Sequence, residues 1–311
     1  MFTILITGGT GMIGKALTKS LLEKNYEVVI LSRGGKSMVN STASTGNIRF
    51  AEWNIEKQTI DEDAISKADY IIHLAGAGVA DKRWSEKRKA EIVASRIDSG
   101  RLLSDSLKKI PNKVKAVISA SAIGWYGADP AIPNPRPFKE NFPADDHFLG
   151  KTCKQWEEAI EPVNQSGKRL VKLRLGIVLS KSGGALVEFK KPLQFGIAAI
   201  LGTGKQIISW IHIDDVVKLF IAALENENMN GVYNAVAPNP VSNKELTIEL
   251  AKTKGGRFFI PMNVPSFVLK LLLGEMSVEV LKSATVSCEK IQQTGFEFQF
   301  PNIENALKDL Q

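Results

Sequence analysis

The sequence predicts an α/β protein, a doubly wound parallel sheet followed by a smaller C-terminal lobe. Three observations predict it. Short β-branched runs alternate with helical patterns up to about Leu175, as parallel strands joined by helical crossovers require. A glycine cluster separates the first strand from the first helix. After Gly176 the chain breaks into shorter segments punctuated by glycine and proline.

Taken in order, Phe2 to Thr7 is an apolar, β-branched run suited to a strand buried on both faces. Ile13, Leu17, Leu21 and Leu22 then recur at helical spacing, and Tyr26 to Leu31 gives a second strand, closing a β-turn-α-β unit. Gly34 to Gly46 is rich in Ser and Thr and reads as a mobile loop. Ile48 to Trp53 and Tyr70 to Leu74 are the third and fourth strands. Ser85 to Leu107 carries Ile92, Ile97, Leu102, Leu103 and Leu107 on a long helix. Val114 to Ser119, a helix over Gly150 to Asn164, Leu170 to Leu175 and a helix over Asp215 to Leu224 complete the pattern. The expected division is 1–230 for the sheet domain, with an insert at about 177–210, and 231–311 for the lobe over its carboxyl edge.

A chain of 311 residues has room for one large domain with an annex or for two modest ones. With 44% hydrophobic and 23% charged residues it has the composition of an ordinary globular protein. Its net charge of +7 is spread over Lys24, Lys57, Lys87 to Lys89, Lys108–Lys109 and Lys190–Lys191 without interleaved aromatics, so no nucleic-acid partner is expected. Cys153 and Cys288 lie far apart with no metal-ligand spacing, which predicts a reducing compartment, no disulfide and no metal. The opening residues lack the basic region and cleavage site of a leader. Pro265 to Leu273 is interrupted by Lys270 and too short to span a bilayer. A cytoplasmic protein without a membrane partner is expected.

Gly8-Gly9-Thr10-Gly11-Met12-Ile13-Gly14 follows a strand and opens a helix, the context that a dinucleotide-phosphate loop of the Rossmann type requires. Gly8 permits the tight turn, Gly11 lets the backbone approach the pyrophosphate, and Gly14 allows close helix–strand packing. The helix amides face the phosphates. The second strand ends Ile30-Leu31-Ser32-Arg33, and no acid stands between Val28 and Gly46 to take the ribose hydroxyls of NAD. Arg33 matches a 2′-phosphate instead, so NADP is the expected cofactor.

To this loop the chain adds His73-Leu74-Ala75-Gly76-Ala77, Ser95-Arg96, Ser119-Ala120-Ser121-Ala122-Ile123-Gly124-Trp125-Tyr126-Gly127, Trp210-Ile211-His212-Ile213-Asp214-Asp215 and Gly295-Phe296-Glu297-Phe298. With these motifs it resembles the extended short-chain dehydrogenase/reductase family of nucleotide-sugar epimerases and dehydratases. More closely it resembles the branch of "epimerase family proteins" that ends in a small C-terminal domain of unknown function. The resemblance covers essentially the whole chain. It implies that Thr10, Met12 and Ile13 complete the phosphate loop and that Leu74, Ala75 and Gly76 pass beside the cofactor ribose and pyrophosphate. It further places Asn54 near the adenine, Ser119 beside the cofactor, and Arg83 and Arg96 where either faces a phosphate or solvent.

The resemblance also implies a Tyr, with a Lys four residues later, that exchanges the substrate proton and holds the ribose. Placing Glu157 on the family glutamate puts Leu149 at the Tyr position and Cys153 at the Lys position, and no Tyr-x-x-x-Lys occurs in the chain. Ser121, placed through a one-residue gap, and Tyr126 are the remaining candidate catalytic residues, with Tyr126 equally open to a structural role. Lys151 and Lys154 are alternative cations or helix-surface residues, Cys153 a reactive thiol or a small buried hydrophobe. Arg174 is placed at the substrate pocket and His212 in packing. Two functions follow. One is an NADP(H)-dependent oxidoreductase or epimerase-like enzyme on a small molecule, for which a nucleotide sugar is a candidate and a homodimer compatible. The other is an NADP-binding regulatory or sensor protein without turnover.

Overall fold

The computed structural model describes residues 1–34, 47–253 and 258–311. Its main sheet runs, from one edge to the other, through strand Gly231–Ala235, β7 (Arg169–Leu175), β6 (Ala116–Ala122), β5 (Tyr70–His73), β1 (Thr3–Thr7), β2 (Glu27–Ser32), β3 (Ile48–Asn54) and β4 (Thr59–Ile60). Neighbours are parallel, except that β4 pairs antiparallel with β3. The chain winds outward from β1 and then crosses back to begin its second half at β5. The β1/β5 boundary is therefore the switch point at which successive loops diverge and open a crevice.

Every residue of β1 is buried, which accounts for its unbroken apolar run. Helix α1 (Met12–Glu23) and the helix Ile213–Glu225 cover one face, contributing Leu17, Leu21, Val216 and Phe220 to the core. On the other face lie the short α2 (Glu62–Lys67), α3 (Glu86–Lys109) and α4 (Phe148–Ile160). Gly100 lets α3 and α4 approach, since a Cβ there would lie 3.2 Å from that of Ala159.

The expected strands and helices are present with shifted ends. Ser85 caps α3, accepting from the Arg88 amide at 3.2 Å. The strand expected over Val114 to Ser119 continues to Ala122, because Ala120, Ser121 and Ala122 pair with Leu173, Arg174 and Leu175 of β7. The helix expected to reach Asn164 ends at Ile160, and a separate turn starts at Pro162, which has no amide proton to continue the ladder. The expected loop over 34–46 falls, apart from Gly34, outside the described residues.

Strand Gly231–Ala235, just beyond the expected lobe boundary at 230, pairs with β7 in the main sheet. The insert and the C-terminal segment build the second lobe together. Strand Ile197–Leu201 pairs in parallel with Ile260–Val264, and Ile177–Leu179 pairs with Trp210–His212. Asp215 ties the tail back by accepting from the amides of Gln299 at 2.7 Å and Phe300 at 3.0 Å. The apolar stretch near Lys270 forms helix Ser266–Leu273, with Phe267, Leu271 and Leu272 exposed. Among the described residues, no helix is long and apolar enough to cross a membrane.

Candidate functional site

At the switch point, two loops touch through backbone. Gly8 has φ +69°, a conformation that side chains rarely adopt, and a Cβ there would lie 2.9 Å from the carbonyl of Leu74. A Cβ on Gly14 would lie 2.5 Å from the Gly8 oxygen and from the Cα of Gly9. Gly11 stands at the N-cap of α1 and closes the turn through its amide to the Gly8 oxygen at 3.0 Å. The first intrahelical bond is Lys15 to Gly11, at 2.9 Å. The amides of Met12, Ile13 and Gly14 thus precede the ladder and have no acceptor within the helix. Thr10 is exposed beside them, whereas the Met12 sulfur turns toward Gly183 and Gly184 of the second lobe.

The Thr7 hydroxyl joins the two loops. It accepts from the amides of Leu74 at 3.1 Å and Ala75 at 3.2 Å and lies 2.8 Å from His73 Nδ1. With its acceptor sites turned to those amides, its own proton points to His73, which is then the neutral tautomer protonated at Nε2 and facing Ser99 Oγ at 3.5 Å. Burial pushes the His73 imidazole down to about 4.

The other predicted cofactor residues spread from this point. Arg33 is exposed in the turn just beyond β2, and no carboxylate pairs with it among the described residues. Asn54 ends β3, where its side-chain oxygen accepts from the Lys57 amide at 2.9 Å and builds a turn. Gly76 is exposed with the Arg96 guanidinium beneath it. Arg83 lies against Gly274 of the second lobe. Ser119 is enclosed on β6 between His73 and Lys172.

The predicted catalytic pair enters a buried polar network. Ser121, 1% exposed, donates to Glu157 Oε1 at 2.7 Å. Arg174 grips the same carboxylate with Nε at 2.7 Å and Nη2 at 3.1 Å. Its Nη1 donates to the Tyr126 hydroxyl at 3.0 Å, which in turn donates to Asn234 Oδ1 at 2.7 Å. Arg174 also stacks on Trp125 at 3.6 Å. Burial pushes the Tyr126 phenol up to about 12. Arg174 is 2% exposed, enclosed by these partners. Both hydroxyl protons are committed to the network, so neither points to an open cavity.

Leu149 and Cys153 lie against the short turn Ile123–Trp125, where a Cβ on Gly124 would sit 3.3 Å from the Leu149 Cβ and 3.5 Å from the Cys153 Sγ. This turn covers the helix face that carries Leu149 and Cys153. Burial pushes the Cys153 thiol up to about 12, so it stays a small apolar group. Lys151 and Lys154 are exposed on the outer face of α4. His212 caps its helix, accepting from the Asp214 amide at 3.1 Å.

Beyond α4, a cleft of about 270 Å³ opens toward the second lobe, lined by Ala128, Asp145, His147, Lys270, Glu279 and Lys282 among others. His147 Nδ1 is 3.0 Å from Asp145 Oδ2, and Asp145 is tied to the turn by its amide to the Trp125 oxygen at 2.7 Å. The sequence reading did not pair these two residues, which stand four and two positions before Leu149. Asp129, likewise missed, fastens the loop after β6 to the tail by accepting from Ser283 and Thr285.

Comparison with known proteins agrees with this architecture. Residues 4–157 match the model of the NAD-dependent epimerase/dehydratase family, and residues 264–310 match DUF1731, a domain of unknown function. An epimerase family protein of Staphylococcus saprophyticus is 35% identical over 306 residues, spanning 98% of each chain. Among solved structures, the human epimerase family protein SDR39U1, described with NADPH, superimposes with TM-score 0.83 at 27% identity over 99% of each chain. A nucleoside-diphosphate sugar epimerase of Corynebacterium glutamicum gives TM-score 0.76 at 28% identity, over 99% of this chain and 58% of that one. With its phosphate-loop fold and its C-terminal lobe, the chain belongs to the NAD-dependent epimerase/dehydratase family, in the branch of epimerase family proteins that ends in DUF1731.

Proposed function

We propose that the protein is an NADP(H)-dependent oxidoreductase, epimerase-like in descent, acting on a small molecule held between α4 and the second lobe. The observation that carries this reading is the backbone cradle at the switch point. Gly8 and Gly14 leave no room for a Cβ, free amides open α1, and Arg33 stands where an NAD site needs an acid. The residues fit the cofactor, and the NADPH described with the human relative supports the same choice. When bound, NADP(H) supplies the hydride. Arg33 pairs with the 2′-phosphate, and the amides of Met12, Ile13 and Gly14 face the pyrophosphate.

On the substrate side, Ser121 and Tyr126 act as positioning residues, holding β6, α4 and the edge strand in register. His147, with Nδ1 held by Asp145, is the group on the cleft rim that exchanges a proton with substrate through Nε2. A nucleotide sugar is the first substrate class to test, on the name of the Corynebacterium relative. Both cysteines are unpaired and buried, which suits the reducing cytoplasm.

A second reading is favoured by one observation: the chain holds no Tyr-x-x-x-Lys, and the resemblance sets Leu149 and Cys153 at the family tyrosine and lysine. On it, the protein binds NADP(H) as a sensor without turnover. Calorimetric titration with NADPH and NADH tests the cofactor assignment common to both. Wild type binds NADPH at least about tenfold more tightly, and Arg33→Ala abolishes the difference, as a charge-assisted pair of about 1.5–3 kcal/mol requires. Equal affinities in the wild type would overturn it. A screen of carbonyl compounds and nucleotide sugars for NADPH consumption separates enzyme from sensor.

A further inference from the structure

The two faces of the second lobe's small sheet meet different surroundings. Strands Ile197–Leu201 and Ile260–Val264 pair in parallel, in the register Ile197 to Ile260, Ala199 to Met262 and Leu201 to Val264. Paired residues share a face, so these six apolar side chains lie on one side of the sheet. Ala198 and Ile200 point the other way and are buried, Ala198 in one core with Leu186, Leu246 and Leu250. The inner face is thus covered by helices Ala185–Leu193 and Asn243–Thr253. On the outer face Ile260 is 58% and Met262 48% exposed.

The chain then passes through Pro265 into helix Ser266–Leu273. Leu269 is buried, and Leu273 packs against the cluster of Trp84 and Met276. Phe267 and Leu271 stand two residues to either side of Leu269, so at 3.6 residues per turn they point away from it. Both are exposed, as is Leu272. Helix and sheet adjoin, since a Cβ on Gly202, just past the first strand, would lie 3.4 Å from Ser266 Oγ. Large apolar side chains exposed together on adjoining elements mark an interaction surface.

Charge narrows what this surface meets. Segments 177–210 and 241–285 hold five acids, and each is engaged. Glu188, Glu249, Glu275 and Glu279 pair with Lys191, Lys252, Lys89 and Lys282, and Glu245 accepts from the Ser242 amide. Lys205, Lys244 and Lys270 are exposed and meet no acid among the described residues. Lys205 and Lys244 flank Gly204, at the end of the sheet where the helix begins, and Lys270 is on the helix itself. A two-fold contact between copies sets the same patch on both sides, leaving these lysines without a free acid to meet. Strand addition is also disfavoured. The Ile260 amide and the Val264 oxygen bond toward the first strand, so Pro261, which has no amide proton, faces the free edge.

We infer that this face docks on an anionic lipid surface, with Phe267, Leu271, Leu272 and the outer sheet face entering the headgroup layer and the three lysines meeting lipid phosphates. The inference stands apart from the NADP(H) reading. It gives the chain a membrane partner that the sequence reading does not expect, through a surface contact that needs no spanning helix. Lys270 and Val278 also line the cleft beyond α4, so a docked protein holds the mouth of that cleft at the headgroup layer.

Co-sedimentation of the full chain with phosphatidylcholine vesicles, plain or enriched in phosphatidylglycerol, tests it. Wild type is expected to bind the anionic vesicles at least about tenfold more strongly than the plain ones, and less as salt rises. The double change Phe267→Ser with Leu271→Ser is expected to lower that binding at least about tenfold. Lys205→Gln with Lys244→Gln is expected to lower it by a similar factor. Melting temperatures should stay close to wild type, since all four side chains are exposed. Should the first variant not fold, Ile260→Ser with Met262→Ser reads the same face from the sheet and must lose binding likewise. A wild-type protein that binds neither vesicle overturns the inference. A dimer in sedimentation velocity that Phe267→Ser with Leu271→Ser dissolves, without vesicle binding, would give the face to a second copy instead. Binding that needs the lysines but not Phe267 and Leu271 also overturns it, because the apolar face would then stay out of the lipid.

Discussion

The two halves of the sheet's carboxyl edge are built from different materials. Between β1 and β5 the chain uses backbone: Gly8 against the Leu74 carbonyl, Gly14 against Gly8 and Gly9, and a Thr7 hydroxyl that accepts from two amides. Between β6 and β7 it uses buried charge, with Glu157 and Arg174 joining Ser121, Tyr126 and Asn234. A site made of backbone tolerates almost any neighbouring side chain, provided the glycines remain. A site made of an enclosed ion pair depends on every partner at once, because each one removed leaves another unsatisfied.

The two halves therefore separate most widely at Arg174. Arg174→Met leaves the Glu157 carboxylate enclosed with Ser121 as its close donor and Lys172 4.0 Å away. It also strips the Tyr126 hydroxyl of one partner. A loss of about 3–5 kcal/mol is expected, the range for breaking a buried pair from one side. Urea unfolding, monitored by tryptophan fluorescence, measures it. A loss below about 1 kcal/mol would mean that water enters the network, and the contrast with the glycine side would disappear.

The backbone side has its own titratable element in His73. Its imidazole is pushed from an ordinary 6.5 down to about 4 by burial, so the folded protein binds a proton less readily than the unfolded chain. The stabilisation is fully present above about pH 6.5, is lost as pH falls from there toward 4, and changes no further below. At about 1.4 kcal/mol for each factor of ten in proton affinity, the loss from His73 approaches about 3 kcal/mol. Protonation would also turn an Nδ1–H toward a hydroxyl whose acceptor sites already serve Leu74 and Ala75. His73→Gln is expected to flatten the stability curve between pH 6.5 and 4, although its absolute stability is lower. Wild-type and variant curves of equal slope would remove His73 from this role.

How much of each half can be read from sequence follows from the same difference. The phosphate loop is legible because its glycines are close together and each is required by a contact within a few residues or by one adjacent strand. Gly8 needs a positive φ, and Gly14 needs the space that Gly8 and Gly9 occupy. The network side draws on positions 121, 126, 157, 174 and 234, which no local pattern connects. Ser121 and Tyr126 read as catalytic because the resemblance sets them at the family's serine and Tyr-Gly turn. Only the fold reveals that their hydroxyl protons point inward. Arg96 illustrates the remaining limit. Helical periodicity placed Ile97 on the buried stripe of α3, yet Ile97 is only partly buried while Arg96 is enclosed beneath Gly76.

The smallest expected effect decides between positioning and catalysis on the network side. Ser121→Ala removes one donor from Glu157 but leaves the two bonds from Arg174 in place. A residual carboxylate held by two charged donors is nearly satisfied, so the expected loss of stability is about 1.5 kcal/mol, at the low end for a hydrogen bond to a charged group. Turnover of any NADPH-consuming substrate should fall by less than about tenfold, with NADPH affinity unchanged. A donor that touches the reacting oxygen behaves differently, costing about 10²–10³ in rate when removed, with little change in stability. The two measurements thus move in opposite directions for the two roles. Ser121→Thr adds a control, since its hydroxyl can still reach Glu157 and should restore the stability. A Ser121→Ala protein that melts like the wild type and turns over 10²-fold more slowly would put the hydroxyl on the substrate after all. Such a result would require the Ser121–Glu157 bond to open when the cleft fills.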